Sequence, residues 1–416
     1  MEDMEARKES IMKTLKKYSQ EHLLNGFDKL EESKQKELLD QIETTDFELI
    51  NSLYNHTRED VKIPESQIAP IEYLDKDKLN GYYRSFQETG EKAIREGKLA
   101  AVTMAGGQGT RLGHSGPKGT FDIGLESHKS LFELLSDSLK EQGKKYDVII
   151  PWFIMTSREN NADTIEFFAK HRYFGREKDK NIFFFEQGEL PMVDTEGKIL
   201  IGEDGLIKEA ADGHGGIYEA LVKNGMTKKM RELGVEWIFI GGVDNCLVKM
   251  VDPILMGIAI QKQVTAAGKS VVKANPQEKV GVFCKKNGRP SVVEYTEIPE
   301  DMAKATDERG ELIYGESHIL CNLFNIDAVE RMGSKPLPYH TAFKKATYID
   351  KNGNKVVPDG PNAYKFEAFL FDAFGELDDM AILRVKREEE FAPVKNASGV
   401  DSPETARELY RKFYHL

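Results

Sequence analysis

The chain has 416 residues, which is enough for two or three domains of ordinary size. It carries 58 Lys and Arg residues against 70 Asp and Glu residues, and 40% of its residues are hydrophobic. This balance is typical of a globular protein and excludes a fibrous or an intrinsically disordered chain. The formal net charge of −12 gives no general attraction to nucleic acid or to anionic lipid, so neither is an expected partner.

The cysteine content and the N-terminus indicate the compartment. Cys246, Cys284 and Cys321 lie far apart without a CxxC pair, which predicts neither a disulfide framework nor a cysteine-rich zinc site. Residues 1–10 are charged and lack the apolar core of a secretory signal. No apolar run approaches the roughly 20 residues that cross a bilayer. The sequence therefore predicts a cytoplasmic protein with no membrane partner.

The first 95 residues have the pattern of amphipathic helices. Ile11, Leu15 and Tyr18 recur at helical spacing in a heavily charged background, and Leu23 and Phe27 continue the pattern. A further helix is predicted over 79–96. This N-terminal helical region contains no chemical motif, so we expect a helical layer that packs on a neighbouring domain.

From residue 99 the pattern changes to short apolar runs that alternate with helix-length segments. The predicted strands are 99–105, 148–156, 182–186, 237–243, 270–273, 280–284 and 292–297, and the predicted helices are 130–143, 161–169 and 216–233. This alternation predicts an α/β fold with a doubly wound, mixed but mainly parallel sheet and helices on both faces. The sequence KNGR at 286–289 is typical of a hairpin turn, which adds an antiparallel pair.

The end of the chain completes the predicted domain organisation. From Phe391 we expect a short C-terminal lobe that ends in a helix over 403–414, with Ser402 and Pro403 at its start. The predicted domains are the N-terminal helical region, the sheet-containing main domain and the short C-terminal lobe, at 1–95, 96–385 and 386–416.

The segment 104–113, MAGGQGTRLG, directly follows a predicted strand. Its three glycines, Gly106, Gly107 and Gly109, allow the backbone to approach a ligand closely and to turn N–H groups towards phosphate oxygens. The loop lacks the third glycine of the dinucleotide fingerprint and the Gly-Lys-Ser/Thr ending of the NTPase phosphate loop. Arg111 and Lys118 follow the glycines, and two cations beside loop N–H groups suit a triphosphate. The alternative is a glycine-rich surface turn with solvated charges.

This loop, with PKG at 117–119, resembles the signature loop of the UDP-sugar pyrophosphorylases, and its Gln108 and Arg111 are most similar to the UDP-N-acetylglucosamine pyrophosphorylase branch. Further similar motifs follow in the order of that family. They are FEQGELP at 185–191, DGHGGIY at 212–218, GVDN at 242–245, VEY at 293–295, LPYH at 337–340, KFEAFLFD at 365–372 and REEEFAPVKN at 387–396. The resemblance implies a Rossmann-like nucleotidyltransferase fold in which 96–385 is the catalytic domain.

The resemblance also implies a reaction and a set of site residues. Family members are uridylyltransferases that form a UDP-sugar and pyrophosphate from UTP and a sugar 1-phosphate, with Mg²⁺ as cofactor; the branch implies N-acetylglucosamine 1-phosphate. Nucleotide binding is implied for Met104, Ala105, Gly106, Gly107, Gly109, Lys118, Gln187, Gly213, Asp244 and Lys365. Sugar binding is implied for His214, Gly281, Glu294, Tyr295, Asn322 and Lys395. The implied catalytic residues are Arg111, Lys118 and Lys395, and Asp244 is the implied metal ligand.

Several of these residues also suit their roles by their own chemistry. The amide of Gln187 offers one donor and one acceptor, which match the edge of uracil; a surface glutamine in a turn is the alternative. Asp244 follows a predicted strand, at the sheet edge where α/β folds bind ligands, and a carboxylate there can hold Mg²⁺; the alternative is a helix cap.

The remaining candidates have similar alternatives. Lys365 and Lys395 lie among aromatic residues rather than in charged runs, which suits either contact with a polyanion or packing over a hydrophobic edge. Glu294 and Asn322 are polar candidates for sugar hydroxyls, or else residues of a strand edge or turn.

One position departs from the most similar branch. His214, within GHG at 213–215, resembles the UDP-glucose branch, so UTP–glucose-1-phosphate uridylyltransferase is the alternative activity. A nucleotide-sugar-binding regulatory protein is the alternative outside enzymes, and the presence of Arg111, Lys118, Asp244 and the two lysines argues against it. The sequence leaves the oligomeric state open.

Overall fold

The computed structural model describes residues 2–57 and 68–416, so the part 58–67 of the predicted N-terminal region lies outside the described residues. The chain divides into two compact units, each discontinuous in sequence. The helical unit comprises Met1–Val61, Gly188–Gly215 and Leu337–Phe369. The sheet unit comprises Lys62–Gln187, Gly216–Pro336 and Leu370–Leu416.

The domain boundaries expected from the sequence, 1–95, 96–385 and 386–416, stay a prediction, and the compact units follow a different division. Segments 188–215 and 337–369 belong with the N-terminal helices, and the end of the chain belongs with the large sheet. The physical reason is that each unit buries apolar faces contributed by segments far apart in sequence.

The helices and strands of the described residues are numbered here in chain order. The helices are α1 (Glu2–Lys17), α2 (Glu32–Thr44), α3 (Phe47–His56), α4 (Tyr82–Arg95), α5 (Leu131–Tyr146), α6 (Asn161–Lys170), α7 (Ile217–Lys223), α8 (Met226–Glu232), α9 (Pro253–Gln261), α10 (Glu300–Lys304), α11 (Ile326–Gly333), α12 (Arg387–Glu390) and α13 (Pro403–Tyr414). The strands are β1 (Ile68–Pro70), β2 (Leu74–Asp75), β3 (Leu99–Met104), β4 (Trp152–Thr156), β5 (Ile182–Glu186), β6 (Glu189–Pro191), β7 (Val193–Asp194), β8 (Glu209–Ala211), β9 (Trp237–Gly242), β10 (Ala266–Val272), β11 (Val282–Lys286), β12 (Arg289–Val293), β13 (Glu316–Asn325), β14 (His340–Lys344), β15 (Tyr348–Ile349), β16 (Lys355–Val356), β17 (Ala363–Glu367) and β18 (Ala381–Arg384).

The sheet unit is built on one large mixed sheet. Its main path runs in the order β2-β18-β10-β13-β9-β3-β4-β5, and β11 joins β13 to an antiparallel extension with β1 and β12. Strands β9, β3, β4 and β5 are parallel to one another, as are β2, β18 and β10. Only β13 on this path runs antiparallel, to both β10 and β9. The prediction of a mixed, mainly parallel sheet is confirmed.

The central strands are apolar because both faces of the sheet are covered. All six residues of β3 are buried, and Ala101 pairs with Trp152 of β4 and with Phe239 of β9. Parallel strands that are covered on both faces are continuous apolar runs in the sequence. This is why 99–105 and 237–243 could be predicted as strands.

Strand β13, the longest strand of the sheet, was not predicted from the sequence pattern, and neither were the short strands β1, β2 and β18. Glu316, Ser317, His318 and Asn322 are all buried in it, and these polar residues interrupt the apolar run. Glu316, His318 and Asn322 are tolerated because hydrogen-bond partners satisfy them, whereas Ser317 Oγ has no such partner among the described residues. Glu316, for example, accepts a hydrogen bond from Ser270 Oγ at 2.6 Å and its other carboxylate oxygen accepts one from the Arg384 Nε at 2.9 Å.

Local turn and cap signals had mixed outcomes. The hairpin between β11 and β12 is confirmed, with Asn287 and Gly288 at φ 53° and 77°, the left-handed conformations that this turn requires. The start of α13 is confirmed too, since Ser402 Oγ accepts a hydrogen bond from the amide of Thr405. The predicted single helix 216–233 is wrong. It is two helices, α7 and α8, because Gly225 between them has φ 71°.

The helical unit has a core of its own. Leu15 and Leu39 of the N-terminal helices pack in one cluster with Val193 and Phe366. A buried glutamine reinforces this packing, because Gln41 Oε1 accepts a hydrogen bond from the amide of Ile207 at 2.9 Å. The helical spacing seen in the sequence is thus explained by burial against segments 150 to 350 residues away. Within residues 2–57 and 68–416, no helix combines the length and apolar character needed to cross a membrane.

The contact between α4 and α9 depends on glycine and gives the first prediction. A Cβ atom at Gly90 would lie 1.9 Å from the carbonyl oxygen of Pro253, whereas one at Gly81 would meet no atom within 4 Å. Because backbone cannot yield as a side chain does, Gly90→Ala is expected to lower the free energy of unfolding by about 3 kcal/mol. Gly81→Ala is the matched control and should change it by no more than about 0.5 kcal/mol. Urea denaturation measures both, and equal effects would contradict this packing.

Candidate active site

The carboxyl ends of four parallel strands place the principal predicted residues at one edge of the sheet. The glycine loop follows β3, Gln187 follows β5 and Asp244 follows β9 by two residues. Since β9, β3, β4 and β5 are parallel, these three features share one edge. Ligands bind to open α/β sheets at this edge.

Hydrogen bonds within the glycine loop fix the direction of its peptide groups. The amide of Lys118 donates to Gly107 O at 3.0 Å, and the amide of Gly109 donates to Gly116 O at 2.9 Å. Neither Gly106 nor Gly107 uses its own amide as a donor within the part of the chain that the structure describes. The loop therefore turns its carbonyls towards protein and keeps two N–H groups for a ligand with oxygen acceptors.

Asn160, which lies between β4 and α6, holds the start of this loop. Its Nδ2 donates to Ala105 O at 2.9 Å and to Gly107 O at 3.4 Å, and its Oδ1 accepts from the Ser157 amide at 2.9 Å. The side chain is fully buried. Asn160 could not be predicted from the sequence, because a lone asparagine before a helix is indistinguishable from an ordinary cap.

His114, directly after the glycine loop, is a second residue that was not predicted from the sequence. Its Nε2 lies 2.7 Å from Thr120 Oγ1, which connects the two sides of the loop. A Cβ atom at Gly109 would lie 2.7 Å from His114 Cβ, so the imidazole packs where only glycine leaves room. A histidine five residues after a glycine carries no sequence signal for such a contact.

Gln187 lies directly against the glycine loop. A Cβ atom at Gly106 would be 2.6 Å from Gln187 Oε1. The backbone N–H of Gln187 donates to Thr156 O at 2.9 Å, which leaves the side-chain amide uninvolved in that bond. The side-chain amide, with its donor and acceptor, is therefore beside the two available loop N–H groups. This geometry suits a ligand that combines phosphates with a hydrogen-bonding base.

Asp244 lies beside Lys118, and the charge of Lys395 also acts on it. Lys118 Nζ lies 3.4 Å from Asp244 Oδ2, and the carboxylate is 25% exposed. Burial by itself would raise the pKa of the Asp244 carboxyl, but the charges of Lys118 and Lys395 outweigh it, so this pKa lies below its usual value. Asp244 is therefore ionised at neutral pH.

The backbone just before Lys395 is hydrogen-bonded to the backbone of Asp244. The amide of Val394 donates to Asp244 O at 2.9 Å, so the chain before Lys395 runs beside Asp244. The Lys395 ammonium lies 5.5 Å from the centre of the Phe391 ring and 3.7 Å from Asp401 Oδ2. Arg111, at the far end of the glycine loop, is exposed.

The other predicted residues of the sheet unit lie on or next to β11, β12 and β13. A Cβ atom at Gly281 would lie 3.2 Å from Glu294 Oε1, which brings these two together at the base of β11 and β12. Tyr295 is 42% exposed. Asn322 is fully buried in β13, where its amide meets the His318 ring at 3.2 Å.

Gly213, His214 and Lys365 belong to the helical unit. Gly213 has φ 91°, and a Cβ atom there would lie 2.3 Å from Ala368 O, so glycine is required. The His214 ring lies 5.5 Å from the Phe369 ring. On β17, Lys365 Nζ lies 2.6 Å from Glu367 Oε1. This unit thus gathers three predicted residues around segment 365–369.

A metal ion would find one strong ligand here. Among the described residues, no group of three or more His, Cys, Asp or Glu side chains could hold a metal ion. A single ionised carboxylate is nevertheless the donor set from which Mg²⁺ is commonly held, with substrate phosphates and water as its other ligands. Asp244 fits that arrangement.

The mixed, mainly parallel sheet with a glycine loop after its central strand has the architecture of the nucleotidyltransferases. Residues 45–401 match the family model described as UTP–glucose-1-phosphate uridylyltransferase. The chain belongs to this family and is a nucleotidyltransferase, a class that generally depends on divalent metal.

Individual relatives agree with the family model. The chain is 37% identical to UDP-N-acetylglucosamine diphosphorylase 2 of Arabidopsis thaliana, over 98% of its own length and 84% of the relative. It is similar, at 31% identity and a TM-score of 0.80, to the uridine diphosphate N-acetylglucosamine pyrophosphorylase of Trypanosoma brucei, over 97% of this chain and 84% of that one. UDP-glucose phosphorylase of Trypanosoma brucei, at 19% identity and a TM-score of 0.66 over 89% and 76% of the two chains, shares the fold.

The contacts of Asn160 predict that loop order depends on it. Asn160→Ala leaves Ala105 O without its donor and removes the weaker of the two donors to Gly107 O, so amide hydrogen exchange should rise across 106–118, with a loss of about 1–3 kcal/mol in the free energy of unfolding. Asn362→Ala is a matched control in the helical unit, where the Asn362 amide also bridges backbone groups, at 2.8 and 3.0 Å from Ala346. The control should leave exchange in 106–118 unchanged. Unchanged exchange in Asn160→Ala would contradict the anchoring role.

Proposed function

We propose that the protein forms UDP-N-acetylglucosamine and pyrophosphate from UTP and N-acetylglucosamine 1-phosphate. The observation that carries this proposal is Asp244 flanked by Lys118 and Lys395 beside a glycine loop with two available N–H groups. Such a site concentrates positive charge and N–H donors where a triphosphate and a second phosphate must approach each other.

The chemistry requires alignment and charge neutralisation more than proton transfer. A sugar phosphate oxygen is already ionised near neutral pH, so it can attack the α-phosphorus of UTP in line without a dedicated general base. In this proposal the N–H groups of Gly106 and Gly107 bind phosphate oxygens, with Met104 and Ala105 leading into the loop. Gly109, expected from the sequence to be a third donor, shapes the loop instead, because its amide already donates to Gly116 O at 2.9 Å. Pyrophosphate leaves opposite the attacking oxygen.

Four cationic side chains have separate tasks in the proposal. Arg111 stabilises the departing pyrophosphate, and Lys118 contacts the α- and β-phosphates. Lys395 aligns the incoming sugar phosphate, and Lys365 supports the nucleotide phosphates. Because the transferred group carries charge throughout, fixed cations lower the barrier more than mobile solvent does.

Mg²⁺ is the proposed cofactor, with Asp244 as its protein ligand. The ion would neutralise phosphate charge and so favour departure of pyrophosphate. The chain's own contribution is to keep Asp244 ionised through Lys118 and Lys395, as its lowered pKa indicates. A carboxylate that is ionised before the ion arrives releases no proton on binding.

Different residues are proposed to bind the base and the sugar. Gln187 and Gly213 select uracil, the first through its side-chain amide and the second through backbone that only glycine allows. The proposed sugar-binding residues are His214, Gly281, Glu294, Tyr295, Asn322 and Lys395.

The relatives support N-acetylglucosamine as the sugar. Proteins named for UDP-N-acetylglucosamine are 37% and 31% identical over nearly the whole chain, whereas the UDP-glucose phosphorylase is 19% identical. The GHG sequence around His214 favours the second candidate, UTP–glucose-1-phosphate uridylyltransferase.

We also propose that the protein works in the cytoplasm. All three cysteines are free and buried, and burial raises the pKa of the thiols of Cys246, Cys284 and Cys321 to about 12. Such thiols are inert packing groups suited to a reducing compartment. Fractionation of cells that express a tagged chain checks this.

A panel of sugar phosphates tests the proposed activity. With UTP and Mg²⁺, N-acetylglucosamine 1-phosphate should give a kcat/KM roughly 10- to 100-fold above that of glucose 1-phosphate, because a site built for the acetamido group leaves polar groups unpaired without it. Pyrophosphate release measures each rate, and N-acetylgalactosamine 1-phosphate completes the panel. A preference for glucose 1-phosphate would establish the second candidate. Tight binding of UDP-sugar with background pyrophosphate release would instead indicate a regulatory binding protein.

Replacing Asp244 tests the metal assignment. Asp244→Asn keeps the shape of the side chain and removes its charge, so kcat should fall by about two to three orders of magnitude at saturating UTP. The Mg²⁺ concentration for half-maximal activity should rise as well. Asp137→Asn is the control, because Asp137 lies on α5, outside the proposed site. Its carboxylate is likewise paired with a lysine, with Lys129 Nζ 2.6 Å from Asp137 Oδ2. Near wild-type turnover of Asp244→Asn with Mg²⁺ would refute the assignment.

A further inference from the structure

A buried ion cluster lies in the sheet unit outside the residues assigned above. It consists of Lys76, Lys249, Asp252, Lys269 and Glu390. Lys269 of β10 is fully buried, and its Nζ lies 2.7 Å from Asp252 Oδ2 and 2.5 Å from Glu390 Oε2. Lys76 Nζ lies 3.0 Å from the other oxygen of Glu390, whose side chain is 1% exposed.

Hydrogen bonds connect the cluster to the end of the sheet where Asp244 lies. The carbonyl oxygen of Glu390 accepts a hydrogen bond from Asn245 Nδ2 at 2.7 Å. Asn245 Oδ1 in turn accepts from the amide of Ala392 at 2.9 Å. Two residues later, the Val394 amide donates to Asp244 O at 2.9 Å. Residues 390–394 thus lie along 244–245, and Lys395 is the next residue.

Stability alone is a weak reason for this arrangement. Removing charges from water costs free energy that their attraction only partly returns, and apolar residues of similar volume often serve as well or better. Unlike apolar packing, a buried ion cluster tolerates very little change in the positions of its members. Glu390 is held by lysines from three separate places in the chain, at 76, 249 and 269.

We propose that Glu390 is a positioning residue, which the buried ion cluster holds in place so that segment 390–394 lies fixed along Asp244 and Asn245 and presents Lys395 beside Asp244. The catalytic consequence rests on the proposed role of Lys395. Loosening of the segment would displace the ammonium that aligns the incoming phosphate, and a displacement of about 1 Å can cost roughly 100-fold in rate.

A double-mutant cycle separates positioning from general stability. Glu390→Gln keeps size and shape and should lower kcat at least 10-fold, with KM for UTP changed less than 3-fold. In a Lys395→Ala background the same replacement should lower kcat less than 2-fold further, because the group that it positions is absent. An equal factor in both backgrounds would overturn the proposal.

Hydrogen exchange gives a readout that does not depend on activity. Glu390→Gln should speed exchange of the Ala392 and Val394 amides at least 10-fold, and unchanged exchange would overturn the proposal. Glu316→Gln is the matched control. It removes another buried carboxylate of the same unit, one paired with Arg384, and should lower Tm without changing exchange in 391–395.

Two further outcomes have defined meanings. If Lys395→Ala alone keeps wild-type kcat, the proposed function of Lys395 is wrong, while faster exchange in Glu390→Gln still supports the fixing of the segment by Glu390. If Glu390→Gln does not fold, the pair Lys269→Met with Glu390→Met replaces both charges by apolar groups of similar length. That double variant should fold, show the same faster exchange and lose the same factor in kcat. Wild-type kcat and exchange in it would overturn the proposal.

Discussion

Parallel hydrogen bonding of β3 with β4 on one side and β9 on the other brings three distant parts of the sequence to one end of the sheet. The loop after β3 supplies N–H groups, and the turn after β9 supplies the carboxylate of Asp244. Gln187 follows β5, the strand beyond β4, and lies against Gly106. Each of these groups would be ordinary by itself. They lie at the same end of the sheet because β9, β3, β4 and β5 are parallel, so the candidate site depends on this parallel arrangement.

The electrostatics of this edge reconcile an acidic chain with anionic substrates. A net charge of −12 repels phosphates at long range, yet that repulsion is screened beyond about 8–10 Å at physiological salt. Closer in, the mostly buried Lys118 lies 3.4 Å from Asp244, where charges interact more strongly than in water, and the charge of Lys395 adds to its effect. Asp244 keeps these lysines from repelling one another, and its own lowered pKa is the reciprocal effect. Local placement, not total charge, decides what this edge binds.

The sequence was informative where one physical signal dominated. Apolar runs predicted β3 and β9, the Asn287-Gly288 pair predicted its hairpin, and Ser402 with Pro403 predicted α13. Strand β13 could not be predicted, because its buried polar residues depend on Arg384 and other partners that only the fold supplies. The loop glycines, Gln187 and Asp244 could be proposed as one site from motifs that resemble a family. Asn160 and the buried partners of Glu390 could not, since side-chain contacts between residues far apart in sequence leave no local pattern.

The discontinuity of the helical unit has a consequence for how the chain is made. The N-terminal helices bury Leu15 and Leu39 against Val193 and Phe366, and Phe366 leaves the ribosome some 350 residues after Leu15. At about 5–20 residues per second, the apolar face of these helices waits roughly 20 to 70 seconds for its last packing partner. During translation these helices therefore emerge long before their unit can be finished, and an apolar surface that waits so long is a natural substrate for chaperones.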